Sequence, residues 1–373
     1  MKLQSLICKI SKKNSIFASK LMKMAKLYVF NPEHDLALAA NLSNFTSPLA
    51  GRKLRHDIGY IPALWAGDDD YILVDDVHQA EEAYSKLQAE LGLGSKQFVD
   101  KEQLSRLYIN KVEPWGWDLA LRSFLIRYGV VIVPSEDEIS VIRNLSHRRH
   151  AAILLEQLQI DGAIGISQEA SGIDDVKQFL NTYRRIVVKA PWSSSGRGVR
   201  FIEDTVDSYQ ERWISNVIDK QGSVMVEPYY NKVMDFGMEF ESDGKGHVSY
   251  LGLSLFHTVN GAYTGNIIAT EEEKELELSR YVSGELANAL KNKICVCLGD
   301  TFCGKYQGPF GVDMMIVAKQ DNDGFLLHPC VEINLRRTMG HVALAIPPYT
   351  DGCKHVMEIT KREDDFKVIL SQI

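Results

Sequence analysis

The sequence predicts an α/β domain followed by an α+β half. Over residues 27–135, short apolar runs of the buried-strand type alternate with stretches that have apolar residues at helical spacing. This alternation is typical of a mostly parallel sheet covered by helices. After residue 136, helices give way to strands in hairpin-like order, which indicates antiparallel sheets. With 373 residues, 45% of them hydrophobic, the chain is long enough for two or three domains.

The first domain, 27–135, is predicted from strand and helix signals. The run 27-LYVF-30 is a buried strand, and 31-NPEHD-35 leads into a helix with Asn31 and Pro32 as start signals. The next predicted elements are a strand at 71-YILVDD-76, helices at 78–92 and 117–129, and a buried strand at 130-VVIVPS-135. Gly129 is the expected C-cap of the second helix. No stretch approaches 18 apolar residues, so we expect no membrane span.

The second half is predicted to contain two subdomains, 136–222 and 223–373, the latter with a C-terminal tail. Helices are expected at 146–160, with Ser146 as N-cap, and at 173–183. The later elements are strands at 186–190, 199–203, 223–227, 236–242 and 247–256, a long helix at 271–296, and strands at 310–318 and 325–335.

Residues 1–26 carry seven lysines and no acidic residue, whereas the whole chain has a net charge of −7. The segment lacks both an uninterrupted apolar region and a small-residue cleavage site, so a secretory signal is not expected. It also lacks the arginine of an organellar transit peptide. We expect either a disordered basic extension or translation from a start codon upstream of the natural one, which would lie near Met24. The acidic remainder of the chain argues against a nucleic-acid partner.

The cysteines form no C-x-x-C pair and match no usual zinc spacing. They are Cys8, Cys295, Cys297, Cys303, Cys330 and Cys353. We therefore expect reduced thiols in a cytoplasmic protein. A metal site at Cys295, Cys297 and Cys303 is the alternative to simple core packing.

A loop rich in serine and glycine lies between two short apolar runs in 186-IVVKAPWSSSGRGVRFI-202. It matches neither the P-loop nor the dinucleotide fingerprint, because a strand and not a helix follows it. Glycine lets backbone N–H groups approach phosphate oxygens closely, and Lys189 at the end of the first strand can supply a point charge. Taken alone, the pattern fits a phosphate-binding flap or an ordinary hairpin turn equally well.

A second pattern brings acidic residues together in 310-FGVDMMIVAKQDNDGFLLHPCVEINLRRTMGH-341. The turn signal D-N-D-G separates two apolar strands. If Asn322 and Asp323 form a two-residue loop, Asp313 lies directly opposite Glu332, with Asn334 on the same face. Opposed carboxylates destabilise a sheet unless a cation lies between them, and oxygen ligands of this kind suit Mg²⁺. The alternative is a hydrated, solvent-facing acidic pair.

Taken in order, Lys189 with its Ser/Gly loop, 224-VMVEPYY-230, Asp313 and 332-EINLR-336 resemble the ATP-grasp superfamily over residues 136–345. The resemblance implies a pre-ATP-grasp domain over 27–135 and a two-subdomain ATP-grasp fold after it. One departure is that an early ATP-binding lysine of the family is replaced within 146-SHRRHAA-152, where Arg148 is the best candidate and Arg149 the next.

The resemblance also implies roles for particular residues. Arg148 and Lys189 would contact ATP phosphates, and Ser193, Ser194, Ser195, Gly196 and Gly198 would form the flap. Val226, Glu227 and Tyr230 would line the adenine hinge, and Asp235 would lie near the ribose. The metal ligands would be Asp313, Glu332 and Asn334, holding Mg²⁺ or Mn²⁺, and Arg336 with Lys189 would offset charge on the reacting groups.

Members of this family activate a carboxylate as an acyl phosphate for attack by an amine, so the resemblance implies an ATP-dependent ligase with small-molecule substrates. A small-molecule kinase on the same scaffold and a non-catalytic ATP-binding regulator are the alternatives. A homodimer is common in the family. For the substrates, the sequence offers the basic segment 51-GRKLRHD-57, the loop 255-LFHTVNGAYTGN-266, and the acids of 31-NPEHD-35, for which helix capping is the alternative role.

Overall fold

The computed structural model describes residues 25–193, 198–259, 262–320, 323–350 and 352–372. These residues form one four-stranded parallel sheet and two antiparallel sheets of four and seven strands. The predicted sequence of an α/β domain followed by an antiparallel half is therefore confirmed. Within these ranges, no helix is both long enough and apolar enough to cross a membrane.

The first unit contains strands β1 (Ala25–Val29), β2 (Tyr71–Leu73), β3 (Gln97–Val99) and β4 (Ile109–Pro114). They pair in parallel in the order β3-β2-β1-β4. The sheet packs with helices α1 (His34–Ala40), α2 (Leu49–Ile58), α3 (Val77–Leu91) and α4 (Leu119–Arg127), and with 3₁₀ helices at Ile61–Leu64 and Leu104–Arg106. Asp76 and Asp118 cap α3 and α4 by accepting backbone N–H groups.

Helices α5 (Glu136–Leu145) and α6 (Arg149–Gln157) come next in the chain. The second sheet is formed by β5 (Gln168–Ala170), β6 (Arg185–Lys189), β7 (Val199–Glu203) and β8 (Val224–Pro228), in the order β5-β8-β6-β7. All its pairings are antiparallel. It shares a small apolar core with helices α7 (Ile173–Tyr183) and α8 (Ser208–Gln221).

The third sheet is the largest, and its order is β13-β12-β9-β10-β11-β14-β15. Its strands are β9 (Lys232–Ser242), β10 (Val248–Val259), β11 (Ala262–Ile268), β12 (Gly308–Ala318), β13 (Phe325–Asn334), β14 (His355–Arg362) and β15 (Asp365–Gln372). The associated helices are α9 (Glu271–Leu278), α10 (Gly284–Phe302) and α11 (Met339–Leu344). One face of the sheet, with Phe236, Phe240 and Phe310, packs in a single core with apolar residues of α5, α6 and α10.

The end of the chain returns to the first unit. Strands β14 and β15 form a hairpin at the edge of the large sheet, and β15 contacts α2. Lys53 Nζ lies 2.8 Å from Asp365 Oδ1, and the backbone N–H of Phe366 donates to Asp57 Oδ2 at 2.8 Å. The hairpin therefore joins the large sheet to the parallel-sheet unit.

Several predicted elements are wrong in position or type. Residues 130–135 are not a strand, and Val131 is 81% exposed. Strands β3 and β4, which the sequence did not reveal, complete the parallel sheet instead. Ser146 is the C-cap of α5 and not the N-cap of α6, and the helix expected at 271–296 is divided into α9 and α10.

The predicted division at residue 222 also separates elements that pack together. Strand β8 lies after this boundary but pairs with β5 and β6 of the second sheet. Conversely, α5 and α6 lie before it but contribute to the core of the third sheet. The C-terminal tail is a pair of sheet strands. Chain order alone misleads here because the long-range pairing of strands decides which sheet each one joins.

The β12–β13 hairpin has the predicted register at Asp313, but the turn and the strand pairing near it differ from the prediction. Asp313 pairs with Glu332, whereas nearer the turn Ala318 pairs with Phe325. A register shift between Asp313 and Met315 accommodates extra residues of β13 around Pro329. Proline has no N–H to donate, so a bulge is where a strand tolerates it. The predicted two-residue turn is inconsistent with the pairing near the loop, and Asn322 itself lies outside the described residues.

Candidate active site

Four acidic or amide side chains lie on the face of the large sheet opposite its core. Asp313 pairs with Glu332 on β13 and with Gly237 on β9, while Gly311 pairs with Asn334 and Glu239. Side chains of paired residues, and of residues two apart, point to the same face of a sheet. Asp313, Glu332, Asn334 and Glu239 therefore share one face, which we call the acidic face.

Burial makes the charge on this face costly. It raises the pKa of Asp313 to about 8, and the nearby carboxylates of Glu332 and Glu239 add to the effect. Asn334 Nδ2 donates to Asp313 Oδ2 at 3.0 Å, and this hydrogen bond offsets part of the rise in the Asp313 pKa. A carboxyl group in this setting stays neutral near pH 7 unless a cation joins it. The carboxylates of Asp313 and Glu332 and the amide oxygen of Asn334 are ligand types that suit Mg²⁺.

Within the described part of the chain, no three His, Cys, Asp or Glu side chains are grouped so that they could hold a metal ion. A cation at the acidic face would thus depend on Asp313, Glu332 and an oxygen that is not a carboxylate. Asn334 could supply it, but its Oδ1 now accepts from Arg336 Nη2 at 3.0 Å. The amide would have to turn to face the metal.

Arg148 connects the acidic face to the loop after β6. Its Nη2 lies 2.6 Å from Glu332 Oε1, and its Nη1 donates to Ser193 Oγ at 2.7 Å. Nη1 also donates to the carbonyl of Ala190. Arg148 is the N-cap residue of α6, and its buried side chain joins the loop after β6 to β13. Arg149 instead pairs with Glu169, 3.2 Å away.

Lys189 lies at the end of β6, where it forms a buried ion pair with Glu227 of β8. Lys189 Nζ and Glu227 Oε2 are 2.6 Å apart. Next to this pair, the rings of Tyr230 and His328 meet edge to face with centroids 5.4 Å apart. Burial and the charge of Lys189 lower the pKa of His328 to about 3, so this ring is neutral. The Lys189–Glu227 ion pair therefore lies near His328 of β13, at the junction of the second and third sheets.

Arg336 binds the first unit through Asp35. Its Nε and Nη2 donate to the two Asp35 oxygens at 2.8 and 2.7 Å, a bidentate pair. Burial raises the pKa of Asp35, but the ion pair with Arg336 outweighs it and holds the value below its usual range. The acids of 31-NPEHD-35 do not take the helix-capping role that was the alternative to substrate binding. Glu33 occupies the N-cap without a side-chain cap bond, and Asp35 faces Arg336.

A small cavity of about 20 Å³ lies where the three units meet. It is lined by His34 and Asp35 of the first unit, by Trp192 and Ser193 beside the second sheet, and by residues of β13. The other lining residues include Glu332 and Asn334. The cavity therefore borders the acidic face.

The remaining predicted residues are dispersed around this junction. Val226 is buried in β8, and Gly198 packs so closely against Ser193 that a Cβ would collide with it. Asp235 lies on the same sheet face as Asp313, where Thr258 Oγ1 donates to its Oδ2 at 3.0 Å and Lys232 pairs with it. Ser194, Ser195 and Gly196 lie outside the described residues.

Sequence reasoning missed Glu239, a third carboxylate of the acidic face that is 2% exposed. His341 Nδ1 lies 2.9 Å from Glu239 Oε2, but this nitrogen already accepts the N–H of Thr338 at 3.2 Å, while Nε2 faces the carbonyl of Phe240. Glu239 Oε2 thus has no hydrogen-bond partner among the described residues. Period-two alternation from Asp235 along β9 could have identified it.

The other substrate candidates have different surroundings. In 51-GRKLRHD-57, Lys53 faces the C-terminal hairpin, whereas Arg52 and Arg55 line a second cavity. The segment 255–266 contributes to the antiparallel pair β10–β11, and its residues 260 and 261 lie outside the described residues. Cys295, Cys297, Cys303 and Cys330 form no disulfide.

No protein-family model matches the chain, and no curated protein matches its sequence. Among solved structures, it is similar to N5-carboxyaminoimidazole synthetase from Staphylococcus aureus in complex with ADP, at 12% identity and a TM-score of 0.48, over 92% of this chain and 84% of the other. It is also similar to a biotin carboxylase–β-γ-ATP complex from Campylobacter jejuni, at 12% identity and a TM-score of 0.49, over 91% and 76%.

A third similar structure is an L-amino acid ligase from Bacillus licheniformis, at 11% identity and a TM-score of 0.44, over 91% of this chain and 81% of the other. Because these identities and TM-scores are low, we infer the function from the residues of the chain itself.

Proposed function

We propose that this protein is an ATP-grasp ligase that activates a carboxylate with ATP for attack by an amine. The observation that carries the proposal is the pairing of Asp313 with Glu332 on a buried sheet face, with Arg148 bridging Glu332 to the loop after β6. Structural ion pairs do not require two opposed carboxylates on a sheet. A Mg²⁺ ion that also binds phosphate groups is usually held by one or two carboxylates, which this pair would supply.

In this proposal, ATP lies in the junction between the second and third sheets. Backbone groups near Val226, Glu227 and Tyr230 would form hydrogen bonds with the adenine. Asp235 would accept a hydrogen bond from a ribose hydroxyl. Lys189 and Arg148 would contact phosphate oxygens after exchanging their present partners, Glu227 and Glu332. Both side chains are already buried at this junction, and phosphate oxygens would replace the carboxylates as their partners.

Mg²⁺ held by Asp313, Glu332 and Asn334 would neutralise charge on the phosphate groups. The carboxylate substrate would attack the γ-phosphorus and release ADP, and the amine would then attack the acyl carbon and release phosphate. Arg336 would lie beside the reacting groups, where its charge offsets the developing negative charge. The Ser193–Gly198 loop would exclude water, which otherwise hydrolyses an acyl phosphate.

The test is ATP binding by calorimetry, with and without Mg²⁺, on the wild type and on Glu332→Gln. This substitution keeps the shape of the side chain but removes its charge. We expect Mg²⁺-dependent binding that weakens at least tenfold in the variant, since a hydrogen-bonded charge is worth roughly 1.5–3 kcal/mol. Glu272→Gln, an exposed acid in the first turn of α9, is the matched control.

Binding that is indifferent to both Mg²⁺ and Glu332→Gln would overturn the proposed site. Once binding is established, phosphate release in the presence of carboxylates and amines tests the ligase reaction. ADP formation that requires only a hydroxyl acceptor would instead identify a kinase.

A further inference from the structure

A cavity in the first unit contains none of the residues assigned to ATP or metal. Its volume is about 230 Å³, and it opens at the carboxyl ends of β1 and β2. Ligands of open parallel sheets bind at this edge. The buried pair His34–Asp118 lies between it and the acidic face, because Asp118 lines the large cavity and His34 lines the small one.

One part of the cavity wall carries an excess of negative charge. Glu33 is 9% exposed, and its Oε1 accepts from Arg55 Nη1 at 2.6 Å, while Oε2 has no hydrogen-bond partner among the described residues. The same guanidinium is 3.6 Å from Asp75. One arginine thus serves two carboxylates, and Asp118 adds a third acid that is fully occupied by its own neighbours. A cationic group of a ligand would complete this charge balance.

A second part of the cavity wall is suited to an anion. Arg52, in the first turn of α2, is an exposed residue that lines the cavity, and its side chain makes no hydrogen bond or ion pair with the described residues. Pro48 is the N-cap of this ten-residue helix and provides no side-chain cap, so the first turn keeps unsatisfied N–H groups. Thr46 and Ser47, which precede the helix, also line the cavity.

The rest of the cavity wall is partly apolar. It includes Phe45 of the loop before α2, Leu73 of β2, and Leu121 and Phe124 of α4. A ligand that fits must therefore carry a positive group, a negative group and an apolar part. A simple phosphate would meet Glu33 and Asp75, and a simple amine would leave Arg52 without a partner.

We propose that this cavity binds an α-amino acid with an apolar side chain, with its ammonium group at Glu33 and its carboxylate at Arg52. This inference goes beyond the proposed ligase activity and does not rest on it, since the cavity requires neither ATP nor a metal. The apolar side chain would lie against Phe45 and Phe124.

The experiment is calorimetric titration of the full chain, without nucleotide, with L-leucine and L-phenylalanine as probes. Isocaproate, which is leucine without its amine, and isoamylamine, which is leucine without its carboxylate, are titrated in parallel. We expect saturable binding of at least one amino acid and at least tenfold weaker binding of both analogues. Glu33→Gln and Arg52→Gln should each weaken binding of that amino acid about tenfold or more.

Lys53→Gln is the matched control, because Lys53 follows Arg52 in the chain but faces the C-terminal hairpin. The affinity of the Lys53→Gln variant for the amino acid should equal that of the wild type. Circular dichroism verifies that each variant is folded. Three results would overturn the proposal: no binding of either amino acid at millimolar concentration, equal binding of isocaproate, or binding that both cavity variants retain. None of these results bears on Mg²⁺-dependent ATP binding.

Discussion

The carboxyl group of Asp313 is buried among other acids, and its protonation state links the site to the stability of the fold. Its pKa rises from 3.8 to about 8 because of burial, with Glu332 and Glu239 as further causes. Between these two values the folded chain holds a proton that the unfolded chain lacks. Unfolding then releases a proton, so this residue makes the metal-free protein less stable as the pH rises from about 4 to 8.

We therefore predict that Asp313→Asn stabilises the metal-free protein, with a larger effect at pH 8 than at pH 5. The amide keeps the shape of the side chain and carries no charge to desolvate. An increase in Tm on the order of a few degrees is expected at pH 8, measured by thermal unfolding without Mg²⁺. Glu272→Gln is again the control. A difference between wild type and variant that is the same at both pH values would show that the Asp313 carboxyl does not titrate in this window.

At the scale of elements, alternation and turn signals predicted much of the fold. The helix at 173–183 and the strand at 199–203 lie where they were expected, because each has strong local signals at both ends. The strand predicted at residues 130–135 is wrong because a run of β-branched residues indicates only an intrinsic preference for strand, which tertiary context overrides. Val131 is exposed, and the shorter strands β3 and β4 pair with the sheet instead.

Of the candidate site, the sequence predicted the pairing of Asp313 with Glu332, but for a reason that was only partly right. The bulge near Pro329 compensates for a longer turn than expected, and no local signal reveals such a pair of offsetting shifts. The ion pairs Arg336–Asp35 and Arg148–Glu332 join residues far apart in the chain. Contacts of this kind depend on how whole units pack, so they were not predictable from local pattern.

The acidic face also depends on a short element, α11, that leaves space for Glu239. A Cβ on Gly340 would collide with Glu239 Oε1, and one on Gly311 would lie 2.7 Å from Oε2. We predict that Gly340→Ala destabilises the protein by about 1–3 kcal/mol, the usual cost of overpacking a buried site. Urea unfolding measures this change.

Gly284→Ala is the matched control for this prediction. Gly284 begins α10, and no atom lies within 4 Å of the position its Cβ would take. Alanine there should be neutral or stabilise by up to about 1 kcal/mol, because it restricts the unfolded chain. Equal effects of the two substitutions would mean that Glu239 moves aside at no cost.

At the scale of the whole molecule, two ion pairs join the first unit to the large sheet, and they differ in burial. Asp35 and Arg336 are 19% and 17% exposed, whereas Asp365 and Lys53 are 54% and 31% exposed. Asp35→Asn leaves a largely buried arginine without its partner, so we predict a loss of about 3 kcal/mol in the free energy of unfolding. Asp365→Asn should cost less than about 1 kcal/mol.

Urea unfolding at pH 7 compares the two variants. The lowered pKa of Asp35 means that its ion pair contributes above pH 4 and is lost as the pH falls through that lowered value. The difference between wild type and Asp35→Asn should therefore shrink in acid. A loss for Asp365→Asn as large as that for Asp35→Asn would show that exposure does not separate these pairs.

The C-terminal hairpin completes the large sheet and covers part of the first unit. Val356, Met357, Phe366, Val368 and Leu370 are buried or half-buried, and most of them pack in the apolar core of the parallel-sheet unit. A chain that stops at residue 352 would expose this core and leave β11 as an unpaired edge, a template for aggregation.

We predict that this truncated chain is markedly less stable and that the loss is concentrated in the first unit. Hydrogen exchange should show faster exchange in α2 and β11 than in β6–β8, whose sheet has its own core. The double variant Lys53→Gln with Asp365→Asn removes the ion pair but keeps the hairpin, and it should exchange almost as the wild type does. If truncation leaves exchange in α2 unchanged, the first unit is stable without the hairpin, and the large sheet alone depends on it.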